Sequence, residues 1–370
     1  MKPRAPKRRV HEVARRISRL QSALKRRRLD AMIVFDRHNT FYLTGMRCSL
    51  SYLMVTPRSA RLLIDGRYIE AARSTARHCE VELMKKLPRS LRAWQREFEP
   101  RKIALEGSIP WNAWKQFGEL IPGVEWQEAG SLILKMRLIK SRDEIRRIAE
   151  SAKLNDEIYE TAVAAAAPGC TEIDLRNVIR SEADRRGADG LSFDSIVASG
   201  TAGSMPHYVP SENRLKPGEM LLVDMGMQLD GYCSDMTRVV ALGARQKKRM
   251  RKAFDAVLDA EEAALKEVGP GVRAADLHRI ATDRLKRHGL ARYFTHGLGH
   301  GVGLEIHEAP TLNATSADVL RAGMVVTIEP GVYLPGLGGV RIEDMVAVTR
   351  SGCRVLSRAP KTYRTVPFGE

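Results

Sequence analysis

The chain has 370 residues, 44% apolar and 28% charged, with a formal net charge of +17; this is the composition of an ordinary globular protein long enough for two domains. No run approaches the roughly 18–20 consecutive apolar residues of a membrane helix, and the basic start lacks the apolar core of a secretory signal, so no membrane is expected and the cytoplasm is the expected location. Five dispersed cysteines without a Cys-x-x-Cys pair exclude a disulfide frame and a cysteine zinc site.

In chain order, residues 1–28 come first, with twelve Lys/Arg against one acid, Glu12. They are read as a basic leader, flexible over 1–15, that runs into the polar face of a first helix. The leader has no interleaved aromatics, so nucleic acid is not expected as a partner. Val13, Ile17, Leu20 and Leu24 recur at helical spacing. AMIVF (31–35) reads as a buried strand, and RLLIDGRY (61–68) as a strand with an Asp-Gly turn. Helices and strands alternate up to about residue 130, as in an α/β layer, and Trp94, Trp111, Trp114 and Trp126 are expected in its core.

A second unit starts near Arg137. Ser141 and Glu144 have capping-box spacing ahead of a stripe through Ile145, Ile148, Ala152 and Ile158. Thr171 with Asp174 starts another helix, which Gly187 can close. Stretches 245–267 and 274–288, separated by GPGV, predict two more helices. Between and after them lie the apolar hairpins MLLVDMGMQLDGYCSDMTRVV and MVVTIEPGVYLPGLGGVRIEDMVAV. Helices followed by antiparallel strand pairs make this part α+β.

The hairpins carry acids where apolar residues would be cheaper. With Asp230-Gly231 as the central turn residues, Leu229 faces Tyr232 and Gly226 faces Asp235. Asp224 shares the face of Gly226, so Asp224 and Asp235 point the same way. Two carboxylates on one apolar face repel unless a cation or a proton lies between them. Glu329 and Glu343 repeat the arrangement in the second hairpin, and Arg341 shares the face of Glu343. Four carboxylates and one imidazole balance two divalent ions, and an oxygen-rich set favours manganese, magnesium, cobalt or zinc.

The segment THGLGHGVGLEIHEAP (295–310) holds His296, His300 and His307. Its glycines make it a poor helix, and it lacks the His-Glu-x-x-His of zinc helices. A bent strand or loop is expected, and from this segment alone any of the three histidines could be a ligand.

His207 in PHY, Asp224, Asp235 in GYCSDMTR, His300 in HGLGHGVG, His307 in EIHEAP, Glu329 in TIEPG and Glu343 in RIED, in this order, resemble the metallopeptidases of the pita-bread fold. Within that group the chain is similar to the Xaa-Pro peptidases, aminopeptidase P and prolidase; methionine aminopeptidases separate the two glutamates more widely. The resemblance covers nearly the whole chain and implies a creatinase/prolidase-type α/β domain over 16–135, including IDGRY, and a pita-bread catalytic domain over 136–370. It implies that Asp224 chelates one divalent ion, that Asp235 and Glu343 bridge two, and that His300 with Glu329 completes the second. It further implies that His207 and His307 are catalytic and bind the substrate carbonyl and the developing oxyanion. His296 would line the substrate pocket, with Tyr333 and Arg341 holding the carboxylates. His11, His38, His78, His278 and His288 match nothing and are read as surface or helix-face residues. The glycines beside His300 are expected to give a bent backbone room next to the metals.

The implied reaction is hydrolysis of the bond between an N-terminal residue and proline in short peptides. Two ions, Mn2+ first and Co2+ or Zn2+ as alternatives, would share the attacking hydroxide, with Glu329 moving its proton. Dipeptide-specific prolidases often carry Arg after His-Glu-x-Pro, where this chain has Thr311, so an aminopeptidase is expected ahead of a dipeptidase. A homodimer is implied. A non-catalytic binding protein on the same fold would fit the basic leader, but such relatives typically lose ligands that are all present here. A serine hydrolase is unsupported, because no Gly-x-Ser-x-Gly occurs.

Overall fold

The computed structural model describes residues 7–244 and 246–368, with side chains from Glu12 onwards. The chain divides into two compact units between Arg137 and Leu138. Residues 1–6 of the expected leader lie outside the described residues. From Lys7 the chain is helical, which corrects the expectation of a flexible leader up to residue 15: Val13, Ile17, Leu20 and Leu24 are buried, and that apolar stripe fixes the helix.

The first unit contains α1 (Lys7–Arg27), β1 (Ala31–Val34), α2 (Arg37–Thr44), β2 (Ser51–Val55), β3 (Ala60–Ile64), α3 (Ile69–Thr75), β4 (Glu80–Leu83), α4 (Leu87–Phe98), β5 (Lys102–Leu105), α5 (Trp111–Leu120), β6 (Glu125–Glu128) and α6 (Ser131–Leu138). Its six strands form one mixed sheet in the order β4-β3-β2-β1-β5-β6. Ala31, Ile33, Met54, Leu63, Ile103 and Leu105 of the sheet pack with Leu91 and Trp94 of α4 and with Phe117 and Leu120 of α5. Trp114 and Trp126 pack against that core, but Trp111 does not join it. At the first turn of α5 it is 71% exposed, with Lys115 Nζ 5.6 Å from its ring.

The second unit opens with α7 (Arg142–Ala164) and α8 (Glu172–Arg185). Both begin in capping boxes, Ser141 with Glu144 and Thr171 with Asp174, each cap contributing about 1 kcal/mol. Short β7 (Gly190–Leu191), then β8 (Ile196–Ser199), β9 (Met220–Met225), β10 (Met227–Leu229), β11 (Tyr232–Cys233) and β12 (Met236–Leu242) lead to α9 (Lys248–Lys266) and α10 (Ala274–Arg287). β13 (Gly299–Gly301), β14 (Glu308–Leu312), β15 (Val325–Ile328), β16 (Gly331–Leu334), β17 (Gly338–Arg341), β18 (Asp344–Val348), β19 (Cys353–Val355) and β20 (Thr365–Val366) complete it. The larger sheets run β20-β12-β9-β8 and β14-β13-β15-β18-β19, while β16 and β17 pair separately. Leu221, Val223 and Met225 of β9 pack towards α7 and α8. Met220 and Leu222 pack towards α9, α10 and the second sheet system. The sheet is therefore buried on both faces, and the inner face carries the candidate site.

Candidate metal centre

The floor of the site grows out of the apolar face of β9 and β12. Met220 and Leu222 of β9, with Val239 and Ala241 of β12, belong to the inner core. Asp224 continues the same face by strand alternation. The register pairs Leu229 with Tyr232 and Thr237 with Asp224, as the Asp230-Gly231 turn predicts; both turn residues have positive φ, 54° and 83°. Asp224, Thr237 and Asp235 thus lie together where the apolar face ends. Asp224 is 7% and Asp235 5% exposed.

The second acidic pair is built differently from the single hairpin read in the sequence. β15 pairs with β18 through Ile328 and Asp344, and β16 pairs with β17 through Gly331 and Arg341. Both follow one register, which sets Glu329 opposite Glu343, but the ladder is interrupted at just those residues. Pro330 has no N–H to give. The Glu329 N–H instead donates to the Leu298 carbonyl at 2.8 Å, and the Glu343 N–H to the Thr237 carbonyl at 3.2 Å. Each glutamate is held by a strand outside its own hairpin, and both carboxylates turn towards Asp224 and Asp235.

β13 carries His300 and is bent, with a register shift between His300 and Gly301. The adjacent glycines are required by strand packing, a constraint the sequence expectation did not include. A Cβ on Gly299 would sit 2.1 Å from the Thr327 carbonyl oxygen, and one on Gly301 2.1 Å from that of Ala309. The neighbouring strands approach too closely for any side chain.

His300 Nδ1 lies 3.1 Å from the Gly301 carbonyl, which can only accept, so Nδ1 carries a proton. The other nitrogen, Nε2, lies 3.3 Å from Glu329 Oε1 and 3.6 Å from Asp235 Oδ2. A neutral imidazole would aim a lone pair at two carboxylates, an arrangement that calls for a cation or a second proton. Donor atoms of Asp235, His300 and Glu343 all lie within 4.8 Å of one another.

Electrostatics add to the demand. Asp235 and Glu343 are both held well above the usual carboxylate range, first by burial and then by the neighbouring carboxylates. Asp224 is raised by burial, in spite of its ion pair with Arg341. Burial would raise Glu329 too, but the hydrogen bond and charge of His300, with Arg341, hold it below its ordinary value. Asp224 Oδ1 and Glu343 Oε1 are buried without a hydrogen-bond partner. Orphaned carboxylate oxygens of this kind are costly, and a divalent ion satisfies them. The donor set of four carboxylates and one imidazole therefore fits hard divalent cations.

Around this cluster, Arg341 donates to Tyr333 OH at 2.6 Å and to Thr237 Oγ1 at 3.0 Å, besides pairing with Asp224. Tyr333 OH meets His296 Nε2 at 2.9 Å, and His296 Nδ1 meets the Gly297 carbonyl at 2.7 Å. His296 is therefore neutral with its proton on Nδ1, in line with the lowering of its pKa by burial. His307 is exposed and stands edge-on to His300, ring centroids 4.4 Å apart. Partial desolvation of the ring beside the cluster, then the charge of His300, depresses its pKa although the residue as a whole is exposed. His207 lies on an exposed turn, near enough for its charge to act on both His296 and His307.

Sequence reasoning missed two threonines. Thr237 donates to Glu343 Oε2 at 2.7 Å, and strand alternation from Asp235 could have found it. Thr327 accepts from His300 N–H and donates to Glu329 Oε1, at 3.0 and 3.1 Å; it is two residues before Glu329 in the same strand pattern. His278, read as a helix-face residue, stacks on Phe294 with centroids 5.2 Å apart, and Phe294 in turn meets His296 edge-on.

The pattern of metallopeptidase family M24 matches residues 146–350, and that of the creatinase/prolidase N-terminal domain matches residues 16–139. The chain is 30% identical to an Xaa-Pro dipeptidase of Pyrococcus horikoshii, over 94% of this chain and 97% of that protein. Among solved structures it is similar to an Xaa-Pro dipeptidase from Bacillus anthracis, with TM-score 0.92 and 32% identity over 96% of this chain and 100% of that one. It is also similar to an X-Pro aminopeptidase from Thermotoga maritima, with TM-score 0.88 and 28% identity over 93% and 100% of the two chains. A candidate metal site on a sheet buried on both faces, these two patterns and these full-length relatives lead to one conclusion: the chain belongs to metallopeptidase family M24, with the pita-bread fold preceded by a creatinase/prolidase N-terminal domain.

Proposed function

We propose that this metallopeptidase hydrolyses the bond between an N-terminal residue and proline, taking short peptides ahead of dipeptides. The observation that carries the metal-dependent part is the buried carboxylate cluster with two orphaned oxygens and His300 Nε2 within 3.6 Å of two of its carboxylates. Asp224, Asp235, His300, Glu329 and Glu343 would hold two divalent ions, and the oxygen-rich donor set favours Mn2+, with Co2+ or Zn2+ as substitutes. Bound there, the ions supply Lewis acidity and bring the pKa of water towards neutrality.

The chain's own groups do the rest. Glu329 takes the proton of the attacking water and passes it to the leaving nitrogen. Prolyl nitrogen carries no hydrogen, so that delivery is what makes it a leaving group. His307, whose pKa is lowered, donates an N–H to the oxyanion, and His207 donates from the opposite turn. Arg341 fixes Asp224 and Tyr333, and through Tyr333 it fixes His296 at the pocket wall.

The substrate-length reading rests on Thr311. It pairs with His300 across β13 and β14 and is exposed, and it offers a hydroxyl where a cation would grip the free carboxylate of a dipeptide. The dipeptidase reading is favoured by the names of two of the relatives above. Cleavage of Ala-Pro-Ala well above Gly-Pro supports the first; equal rates on the two would establish the second. Five free thiols support a reducing cytoplasm, and a homodimer, checked by sedimentation, completes the proposal.

Enzyme stripped by chelator is expected to lose Xaa-Pro cleavage and regain it with Mn2+, while Asp235→Asn stays inactive at any metal concentration. Full activity in the presence of chelator would overturn the metal-dependent mechanism.

A further inference from the structure

We infer that Glu172 is a positioning residue for His207, acting through Tyr208; this rests on the reading of His207 as an oxyanion donor. Glu172 is the first residue of α8 and is fully buried, with 0% exposure. Among the described residues no cation pairs with it. Its charge is met by neutral donors that all come from residues 199–213, the segment that carries His207. Oε1 accepts from Ser199 N, Ser199 Oγ and Asn213 Nδ2 at 2.8, 3.0 and 3.0 Å. Oε2 accepts from Tyr208 OH at 2.7 Å and from Ser211 N and Oγ, both at 3.2 Å.

One carboxylate therefore binds both ends of the segment and its middle. The first N–H groups of α8 join in, Glu172 N donating to the Asn213 carbonyl and Ile173 N to that of Ser211, at 3.1 and 3.2 Å. These groups have no partner inside the helix, and the helix dipole favours a carboxylate at that end. The near end of the segment is fixed against β17: a Cβ on Gly339 would lie 1.9 Å from the Gly203 carbonyl oxygen. The tip is left protruding, with Met205 49% and Val209 75% exposed and His207 in solvent. Between the exposed residues, Tyr208 is half-buried and packs against the inner core. The Tyr208 hydroxyl, one residue from His207, is the tether that reaches from the tip to the buried carboxylate.

A purely stabilising role for Glu172 would lower the melting temperature without acting through one histidine. The metal-loaded enzyme is therefore compared as Glu172→Gln, Tyr208→Phe, His207→Asn and the two doubles that include His207→Asn. Gln presents an N–H to donors, and Phe removes the Tyr208 hydroxyl with its contacts to Glu172 and to Ser211 Oγ, both at 2.7 Å. Either single change is expected to lower kcat by about ten- to a hundredfold, the cost of misplacing a catalytic group, with KM, metal content and fold retained. Each double is expected to lose no more than His207→Asn alone, because both act on one group. Losses that multiply in the doubles, or a kcat that survives Tyr208→Phe, would overturn the inference. If His207→Asn itself keeps its kcat, the reading of His207 fails first. If Glu172→Gln does not fold, Tyr208→Phe decides alone.

Discussion

One oxygen of Glu343 accepts from Thr237 while the other is buried without a partner, and that asymmetry says what the threonine does. A hydroxyl on one oxygen leaves the second free and aimed, and Arg341, which donates to the same hydroxyl, keeps the Thr237 proton pointed at Glu343. Thr237→Val preserves the shape and removes the donor. Loss of such a supporting hydrogen bond typically costs about 10–100-fold in metal affinity. Titration of the stripped variant with Mn2+ is expected to show that loss, with activity recovering at high metal concentration. Asp235→Asn should differ from it by never recovering, since a ligand and not its support has gone.

At the scale of elements, His300 is placed by two strands, β14 and β15, crowding one short one between them. A methyl on Gly299 would collide with the Thr327 backbone, so β13 and β15 would have to separate where His300 and Glu329 converge. Gly299→Ala is expected to cost about 1–3 kcal/mol or more, as overpacking does, and to lower metal content as well, read by urea unfolding and by metal analysis of the folded fraction. The same crowding explains what the sequence could and could not tell. Ser141 with Glu144, Thr171 with Asp174, and Asp230-Gly231 are local signals, and each produced the cap or register it predicts. Register arithmetic also carried the carboxylates onto one face, because strand alternation holds wherever the hairpin goes. The break at Glu329-Pro330 and Ile342-Glu343 was not legible: its cause is a hydrogen bond to Leu298 on one side and to Thr237 on the other. The role of Gly299 was hidden for the same reason, since its constraint comes from Thr327. Trp111 went wrong because apolar character predicts burial only where a helix turn actually meets the core.

For the whole molecule, the cluster makes stability a function of both pH and metal. Asp235 and Glu343 bind protons more tightly in the ion-free folded chain than in the unfolded one, since burial and mutual repulsion raise them above their ordinary values of 3.8 and 4.5. His300 is likewise raised from 6.5, by Glu329 against its own burial. Groups with a raised folded pKa contribute stability that is present below the unfolded value and lost as pH rises through the folded one. The contribution of these three groups to the ion-free protein should therefore fall from pH 5 to pH 8, against the opposite contribution of His296 and His307, whose pKa values are lowered below 6.5. Glu261, pushed up to about 8 by burial first and then by Asp344, acts with the same sign. It is not a ligand, so its contribution is common to both forms and cancels between them. A divalent ion replaces the protons and lets the carboxylates stay ionised, so the loaded protein escapes the part of the loss that the cluster causes. At a hundred times its dissociation constant, each ion adds about 2.7 kcal/mol, roughly 5–10 °C in Tm for a domain of this size. Calorimetry of stripped and Mn2+-loaded protein should show a Tm difference that widens from pH 5 to pH 8. An increment that stayed constant with pH would mean that the ions bind where no proton is displaced, away from Asp235 and Glu343.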